Sequence, residues 1–254
     1  MLKKSCASVL VFCFLSVLFF PVASFGQAKP AEISNTLTQR EKQDGWSLLF
    51  DGKTTAGWRG LYKESFPKAG WIVENGILTV LEGGKSNERG GDIITVQQYG
   101  NFELSLDFKL VPGANSGIKY FILEDPKKKS GAGVGPEYQL LDDQLHPDAK
   151  LGISGNRTCG SLYDLIPADP KKSIRPVGEW NTARIVAKGK HVEHWLNGVK
   201  ILEYERGSGD FKAHVDKSKF KDIPNFGETP QGHILLQEHG NRVFFRNIKI
   251  RILK

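Results

Sequence analysis

Residues 102–110, "FELSLDFKL", alternate strictly between apolar and polar side chains, and this alternation constrains the fold more than any other feature of the chain. The apolar members are Phe102, Leu104, Leu106, Phe108 and Leu110. Successive side chains of a β-strand point to opposite faces. The pattern therefore predicts a strand with one face in a hydrophobic core and the other in water.

Strand signals recur along the rest of the chain, with turn residues between them. Residues 181–205 predict three strands, the last two joined by Asn197-Gly198, a strong hairpin dipeptide. Residues 233–253 predict a further hairpin, and the irregular stretch at 205–231 is expected to contain a short helix, over 210–222, that lies across the strands. Many strands, 28 glycines and little helical periodicity indicate an all-β sandwich or jelly roll.

The N-terminus has the layout of a secretory signal peptide. Lys3 and Lys4 precede an apolar run at 9–22, and small residues lie before a cleavage point near Gly26. The run is shorter than the roughly 20 residues that a membrane-spanning helix needs. We expect an exported protein, periplasmic or extracellular, with no membrane segment once the signal is cleaved. The predicted divisions are a signal peptide over 1–26, a polar linker over 27–43 and one domain over 44–254.

Charge and cysteine content exclude some classes of function. The net charge is +7, but the basic residues are scattered and form no basic helix or aromatic platform. Nucleic acid is therefore not an expected partner. Only Cys159 remains after signal cleavage, so the domain cannot contain an internal disulfide and must be stable through its core. We expect Cys159 to be a small, semi-buried residue rather than a catalytic thiol.

The stretch "PEYQLLD", beginning at residue 136, is the first candidate site. In a strand Glu137 and Gln139 share one face, predicted to line a groove, while Tyr138 and Leu140 face the core. Asp142 joins the glutamate only if a bulge intervenes. Paired carboxylates across a groove are typical of glycosidases. A polar outer strand face would give the same pattern.

The spacing of this stretch resembles the E-x-D-x-x-E strand of laminarinase-type glucanases. Here Gln139 replaces the central aspartate and Asp142 replaces the final glutamate. The missing central charge argues against the retaining double displacement that such glucanases perform.

His239 is the second candidate. It ends the strand-like stretch 233–239 on the same face as Gln237, beside Gly240, so both side chains are predicted to point into a groove. Histidine titrates near neutrality and can act as a general base or acid. His191 and His194 instead lie within a hairpin and are expected on its outer face.

Three further side chains are candidates for substrate binding. Lys119 is predicted to share the groove face of its strand, and Arg157 and Tyr163 lie in a polar loop segment. His146 follows two aspartates in a loop, which could ligate a metal only with a further ligand from elsewhere. We expect instead a solvated loop, with Asp143 and Asp148 in water.

Several stretches together resemble the 3-keto-disaccharide hydrolase family over roughly residues 44–254. They are "WSLLFDGKTTAGW", "NSGIKYF", "GPEYQLLDD", "GSLYDLIPA", "GEWNTARIVAKGKHVEHWLNGVKILEYE" and "GHILLQEHGNRVFFRNIKI". The resemblance implies a concanavalin A-like jelly roll of two curved antiparallel sheets. It also implies cleavage of glycosides already oxidised at C3.

The implied chemistry is abstraction of the C2 proton, elimination of the C1 leaving group and addition of water. The resemblance then makes His239 and Glu137 base and acid, in an order that the residues leave open. Lys119, Arg157 or a divalent cation would polarise the ketone. The substrate hydroxyls would be held by Gln139, Asp142, His146, Tyr163 and Gln237.

Two alternatives remain at this level: a β-glucan endohydrolase of the laminarinase type and a non-catalytic carbohydrate-binding module. The first would cleave unoxidised β-glucan. The second would bind sugar without turnover. The residues do not determine the linkage, the metal requirement or the oligomeric state.

Overall fold

The alternating segment at 102–110 forms a long central strand, as predicted. In chain order the strands are β1 (Trp46–Leu48), β2 (Trp58–Gly60), β3 (Trp71–Glu74), β4 (Ile77–Val80), β5 (Ile93–Thr95), β6 (Phe102–Leu110), β7 (Asn115–Ile122), β8 (Glu137–Leu141), β9 (Asn181–Lys188), β10 (His191–Leu196), β11 (Val199–Glu205), β12 (His233–Leu236) and β13 (Val243–Ile252). The helices are α1 (Gln39–Gln43), α2 (Gly209–Asp216) and a 3-10 turn at Pro147–Lys150.

This computed structural model describes residues 1–2, 34–83 and 89–254. The predicted signal peptide lies, apart from its first two residues, outside the described residues. Within the described part of the chain, no helix combines the length and the apolar character needed to cross a membrane.

The strands form two antiparallel sheets, which confirms the predicted concanavalin A-like sandwich. The larger sheet has the order β11-β10-β9-β6-β13-β4-β3, with β1 paired to β13, and the smaller has the order β2-β5-β12-β7-β8. In β6 every apolar member of the alternating segment is buried, because that face meets the core between the sheets.

Three aromatic hydroxyls and one imidazole join the two sheets across the core. The His194 Nδ1–H of β10 donates to the Gly160 carbonyl (2.9 Å), and its Nε2 accepts from the Tyr120 hydroxyl of β7 (2.7 Å). Tyr204 donates to Tyr120 (2.8 Å), and the Tyr138 hydroxyl donates to a carbonyl of β10 (3.2 Å). The outer-face prediction for His194 is therefore wrong: its side chain is fully buried. His191, in contrast, is partly exposed as expected.

Burial of His194 predicts a specific pH dependence of stability. Burial lowers its pKa from 6.5 to about 4. Between these values the unfolded chain binds a proton that the folded protein does not, so stability falls as pH drops through this window. The full shift corresponds to a loss of about 3 kcal/mol. Urea unfolding of wild type and His194→Gln between pH 7 and 4 measures it; an equal slope in both would refute the assignment.

The segment predicted as a linker is partly folded. Asn35 and Asn247 exchange two backbone-to-side-chain hydrogen bonds (2.6 and 2.8 Å), and Thr38 caps α1 through a capping box with Glu41. Glu41 also pairs with Lys249 of β13. The described linker residues thus dock on the larger sheet, which their polar composition did not indicate.

The irregular stretch does contain a helix, but α2 ends at Asp216 rather than near 222. Ser208 caps it, and Phe211 is buried in a stack with Tyr204 of β11 (ring centroids 5.5 Å apart). The residues that follow α2 turn back toward β8, where they meet the candidate site.

Cys159 is completely buried, and burial raises the pKa of its thiol to about 12, which is unsuited to nucleophilic chemistry.

Candidate active site

The two faces of β8 divide as predicted. Tyr138 and Leu140 are buried in the core, while Glu137 and Gln139 point away from the larger sheet into a small polar cleft. The cleft is lined by Asn115, Glu137, Gln139, Tyr163, Lys219, Gln237 and His239. Five of the nine predicted site residues therefore line one cleft: Glu137, Gln139, Tyr163, Gln237 and His239.

Glu137 lies at the floor of this cleft and is only 5% exposed. Its Oε2 is 3.7 Å from the Lys119 ammonium of β7, which also donates to the Gly133 carbonyl (3.3 Å). With its amide nitrogen facing the carboxyl, Gln139 donates to Glu137 Oε1 (3.3 Å) and to the Ser116 carbonyl (3.1 Å). Lys119 thus supports Glu137 from below and is too buried to be the open cation that the sequence suggested.

A glycine makes room for this carboxyl. Gly117 of β7 pairs with Gln139, and a Cβ atom at Gly117 would overlap the Glu137 carboxyl group. Strand glycines commonly mark such close approaches. The position of Glu137 therefore depends on the absence of a side chain on the neighbouring strand.

Burial and the neighbouring charges shift the pKa of Glu137. Burial raises the pKa of Glu137, against the opposing influence of the Lys119 and Lys219 ammonium groups, and Asp92 adds a smaller raising effect. Asp92 accepts from the Glu238 N–H (3.0 Å), and its own pKa is raised by burial. Glu137 is thus biased toward the neutral acid relative to a carboxyl in water.

The pKa of His239 is shifted in the opposite direction. His239 follows β12, and a hydrogen bond from the Gln237 N–H to the Gly117 carbonyl (3.0 Å) extends the contact of this chain segment with β7. The His239 ring lies edge-on to that of His146, with the centroids 6.3 Å apart. Desolvation, followed by the influence of His146, lowers the pKa of His239 below 6.5. The His146 Nδ1 accepts from the Asp148 N–H (3.2 Å), so His146 is fixed at the edge of the cleft.

Tyr163 is held by an ion-pair network. Its hydroxyl donates to Asp148 Oδ2 (2.8 Å), and Asp148 Oδ1 pairs with Arg157 (2.8 Å). The Arg157 Nε also pairs with Asp164 (2.7 Å). Arg157 therefore positions Tyr163 and Asp148, and the structure gives it this supporting role in place of the predicted contact with a ketone.

Three acidic residues differ from their predictions. The Asp142 carboxylate accepts three backbone N–H bonds, from Gly113 (2.8 Å), Gln144 (3.0 Å) and Leu145 (3.2 Å), so it stabilises the turn after β8 and does not face the cleft. Asp143 pairs with Lys172 (2.9 Å) and accepts from the Cys159 N–H. The expected solvated positions of Asp143 and of Asp148 are therefore wrong.

Lys219 and Asn115 line the cleft but were not among the sequence candidates. Asn115 begins β7 beside a turn, and the sequence offered it no distinguishing pattern. Lys219 comes from the irregular segment after α2, where no periodicity indicates which side chains converge. Its backbone N–H donates to Asp164 Oδ2 (2.9 Å), a contact made across 55 residues of sequence.

A possible metal ligand set occurs elsewhere. Among the described residues, three metal-binding side chains converge only at His191, Glu193 and Glu203, on the partly exposed face of the β10–β11 hairpin. The Lys200 ammonium already lies 2.7 Å from Glu203 and 3.4 Å from Glu193. We therefore interpret this group as a surface ion-pair cluster.

Comparison with known proteins finds relatives across the whole folded domain. The model of the 3-keto-alpha-glucoside-1,2-lyase-like domain family matches residues 45–251. A protein of Bacteroides thetaiotaomicron named 3-keto-disaccharide hydrolase is 38% identical over 251 residues, which cover 91% of this chain and 86% of that protein.

Two solved structures from Parabacteroides distasonis, both described as candidate glycosyl hydrolases, are also similar. The first is 35% identical with a TM-score of 0.76, covering 87% of this chain and 100% of that chain. The second is 32% identical with a TM-score of 0.63, covering 82% and 99%.

Proposed function

The chain belongs to the 3-keto-alpha-glucoside-1,2-lyase-like domain family, and from this membership we propose that it hydrolyses glycosidic bonds of 3-keto-glycosides, including 3-keto-disaccharides. We further propose an elimination followed by hydration, with His239 as general base and Glu137 as general acid. The names of the relatives support the substrate class, and the cleft supports the roles of the two residues.

The observation that carries this assignment is the opposite bias of two groups lining one cleft. Burial disfavours the charged form of each group, so it lowers the pKa of a histidine and raises the pKa of a carboxyl group. His239, with its lowered pKa, is unprotonated near neutrality and can accept a proton. Burial favours the neutral carboxylic acid of Glu137, which is the form that can donate a proton. Glu137 is also the only carboxyl group among the lining residues, whereas oxocarbenium chemistry uses two.

The first half of the reaction breaks the glycosidic bond. His239 removes the C2 proton, which the C3 ketone acidifies, and the electrons form an enolate on the C3 oxygen. The enolate then collapses to a C1–C2 double bond, the C1–O bond breaks and Glu137 protonates the leaving oxygen. The Lys119 ammonium, 3.7 Å away, stabilises the carboxylate that remains.

The second half of the reaction returns Glu137 and His239 to their starting protonation states. The Glu137 carboxylate accepts a proton from water as the water oxygen bonds to C1, and the His239 imidazolium returns a proton to C2. The product is the free 3-keto sugar, and the net reaction is hydrolysis. Gln139 and Gln237 line the same cleft, and in this proposal they hold sugar hydroxyls.

An isotope experiment tests this route. A 3-keto-glucoside carrying deuterium at C2 should be cleaved more slowly than the unlabelled compound, because the C2 bond breaks in or before the rate-limiting step. A direct displacement at C1 leaves that bond intact. Identical rates, together with no solvent exchange at C2 in recovered substrate, would exclude the elimination.

Gly117→Ala should reduce turnover sharply without unfolding the protein. The added methyl group would displace the Glu137 carboxyl group, and misplacement of a catalytic group by about 1 Å can cost about 10²-fold in rate. Steady-state kinetics on a 3-keto-disaccharide measures the loss. Gly113→Ala is the control, because a Cβ there meets no neighbouring atom, although its positive φ calls for a parallel stability measurement. Unchanged kcat in Gly117→Ala would show that the position of Glu137 is not critical.

A further inference from the structure

Lys219 lines the cleft, and among the described residues no carboxylate or carbonyl group accepts a hydrogen bond from its ammonium group. Lys119, in contrast, pairs with Glu137 and donates to Gly133. The Lys219 Nζ instead lies 4.2 Å from the centroid of the Tyr163 ring and 5.1 Å from that of Phe220. The ammonium group therefore lies over two aromatic faces at the cleft, with no hydrogen-bond acceptor found for it among the described residues.

The backbone at Lys219 is held on both sides, although the side chain is only partly shielded from solvent. Ser218 and Phe220, on either side, are buried, and the Lys219 N–H donates to Asp164 Oδ2 (2.9 Å). Asp164 in turn pairs with Arg157, which orders the segment that carries Tyr163. One buried aspartate therefore connects the two loops that place Tyr163 and Lys219 beside Glu137.

The charges that face Lys219 define what it can bind. Glu137 and Asp164 favour its charged form, whereas Lys119 and Arg157 oppose it, and burial has the largest effect, lowering the pKa of Lys219. A cation in this setting is incompletely neutralised. A ligand that develops negative charge beside it would be stabilised by a donor that is already in place.

We propose that Lys219 is the electrophilic group of the reaction, donating to the C3 oxygen of the substrate as that oxygen becomes an enolate. This inference rests on the proposed function, because only a 3-keto substrate develops charge there. The ammonium keeps its proton throughout, so the proton balance between His239 and Glu137 is unchanged. It also makes Lys219 the residue that distinguishes a C3 ketone from a C3 hydroxyl.

The test compares Lys219→Met, Lys219→Arg and Lys217→Met as a neighbouring control. Lys219→Met should lower kcat by about 10²- to 10³-fold, the usual cost of removing one oxyanion donor. Lys219→Arg should retain part of the activity because it keeps a cation. Lys217 is exposed and lies outside the cleft lining, so its variant should match wild type. Exchange of the C2 proton with solvent should fall in parallel with kcat.

Calorimetry with the product supplies a readout that does not depend on turnover. Wild type should bind 3-keto-glucose more tightly than glucose, and Lys219→Met should lose that preference while keeping the thermal stability of wild type. If wild type cleaves the 3-keto-glycoside and Lys219→Met retains both its kcat and its preference for the ketone, the inference fails and the proposed function stands. If wild type shows neither cleavage nor preference, both fail.

Discussion

Glu137→Gln is expected to lower the cleavage of a 3-keto-disaccharide by about 10²- to 10⁴-fold, the usual contribution of a general acid. The same variant should cleave the 3-keto-glucoside of nitrophenol at nearly the wild-type rate of elimination. A sugar alkoxide needs a proton to leave, whereas nitrophenolate does not. Single-turnover release of each leaving group measures the difference.

The comparison of substrates separates the two possible roles of Glu137. An equal loss on both would mean that Glu137 removes the C2 proton, which every substrate requires. Glu64→Gln is a suitable control, because Glu64 is exposed and outside the cleft lining. Gln is close in size to Glu, so the unfolding midpoint of Glu137→Gln should show whether the carboxyl group also supports the fold through Lys119.

His239→Gln should lower the cleavage of both substrates alike, by about 10²- to 10⁴-fold, because the base acts before any leaving group departs. Exchange of the substrate C2 proton with solvent should disappear with it. His214→Gln is the control, since His214 lies on α2 and does not line the cleft.

The pH profile carries a second expectation for His239. A general base works only when it is unprotonated, so kcat/KM for the 3-keto-glucoside of nitrophenol, which needs no proton from Glu137 to leave, should fall as pH drops through the pKa of His239. The pKa of His239 is lowered from 6.5, which places the acid limb of the profile below that value. An acid limb that survives unchanged in His239→Gln would assign the titration to another group.

The alternation of side chains along the strands made four residues of the cleft predictable. Alternation alone placed Glu137 with Gln139, and Gln237 with His239, and the structure brings both pairs to one cleft. The same rule places His194 with Val192 and Leu196 on the core face of β10. The polar side chain of His194 suggested the outer face, because no pattern in the sequence indicates the buried hydrogen bond to Tyr120 that satisfies it.

Residues outside regular strands were not predictable in this way. Asp142 looked like a groove carboxylate but is occupied by three backbone N–H groups of the next turn. Arg157 looked like a free cation but is paired with two aspartates. Lys219 reaches the cleft through a loop whose path is set by a contact with Asp164, and no local pattern encodes a contact across 55 residues.

The most direct test of the proposed function offers the protein a 3-keto-glucoside and the matching plain glucoside under identical conditions, with a chelator control. We predict release of the aglycone from the 3-keto compound alone. Release from the plain glucoside at a comparable rate would contradict it and indicate an ordinary glucan hydrolase. Release from neither, with sugar binding retained, would indicate a binding module.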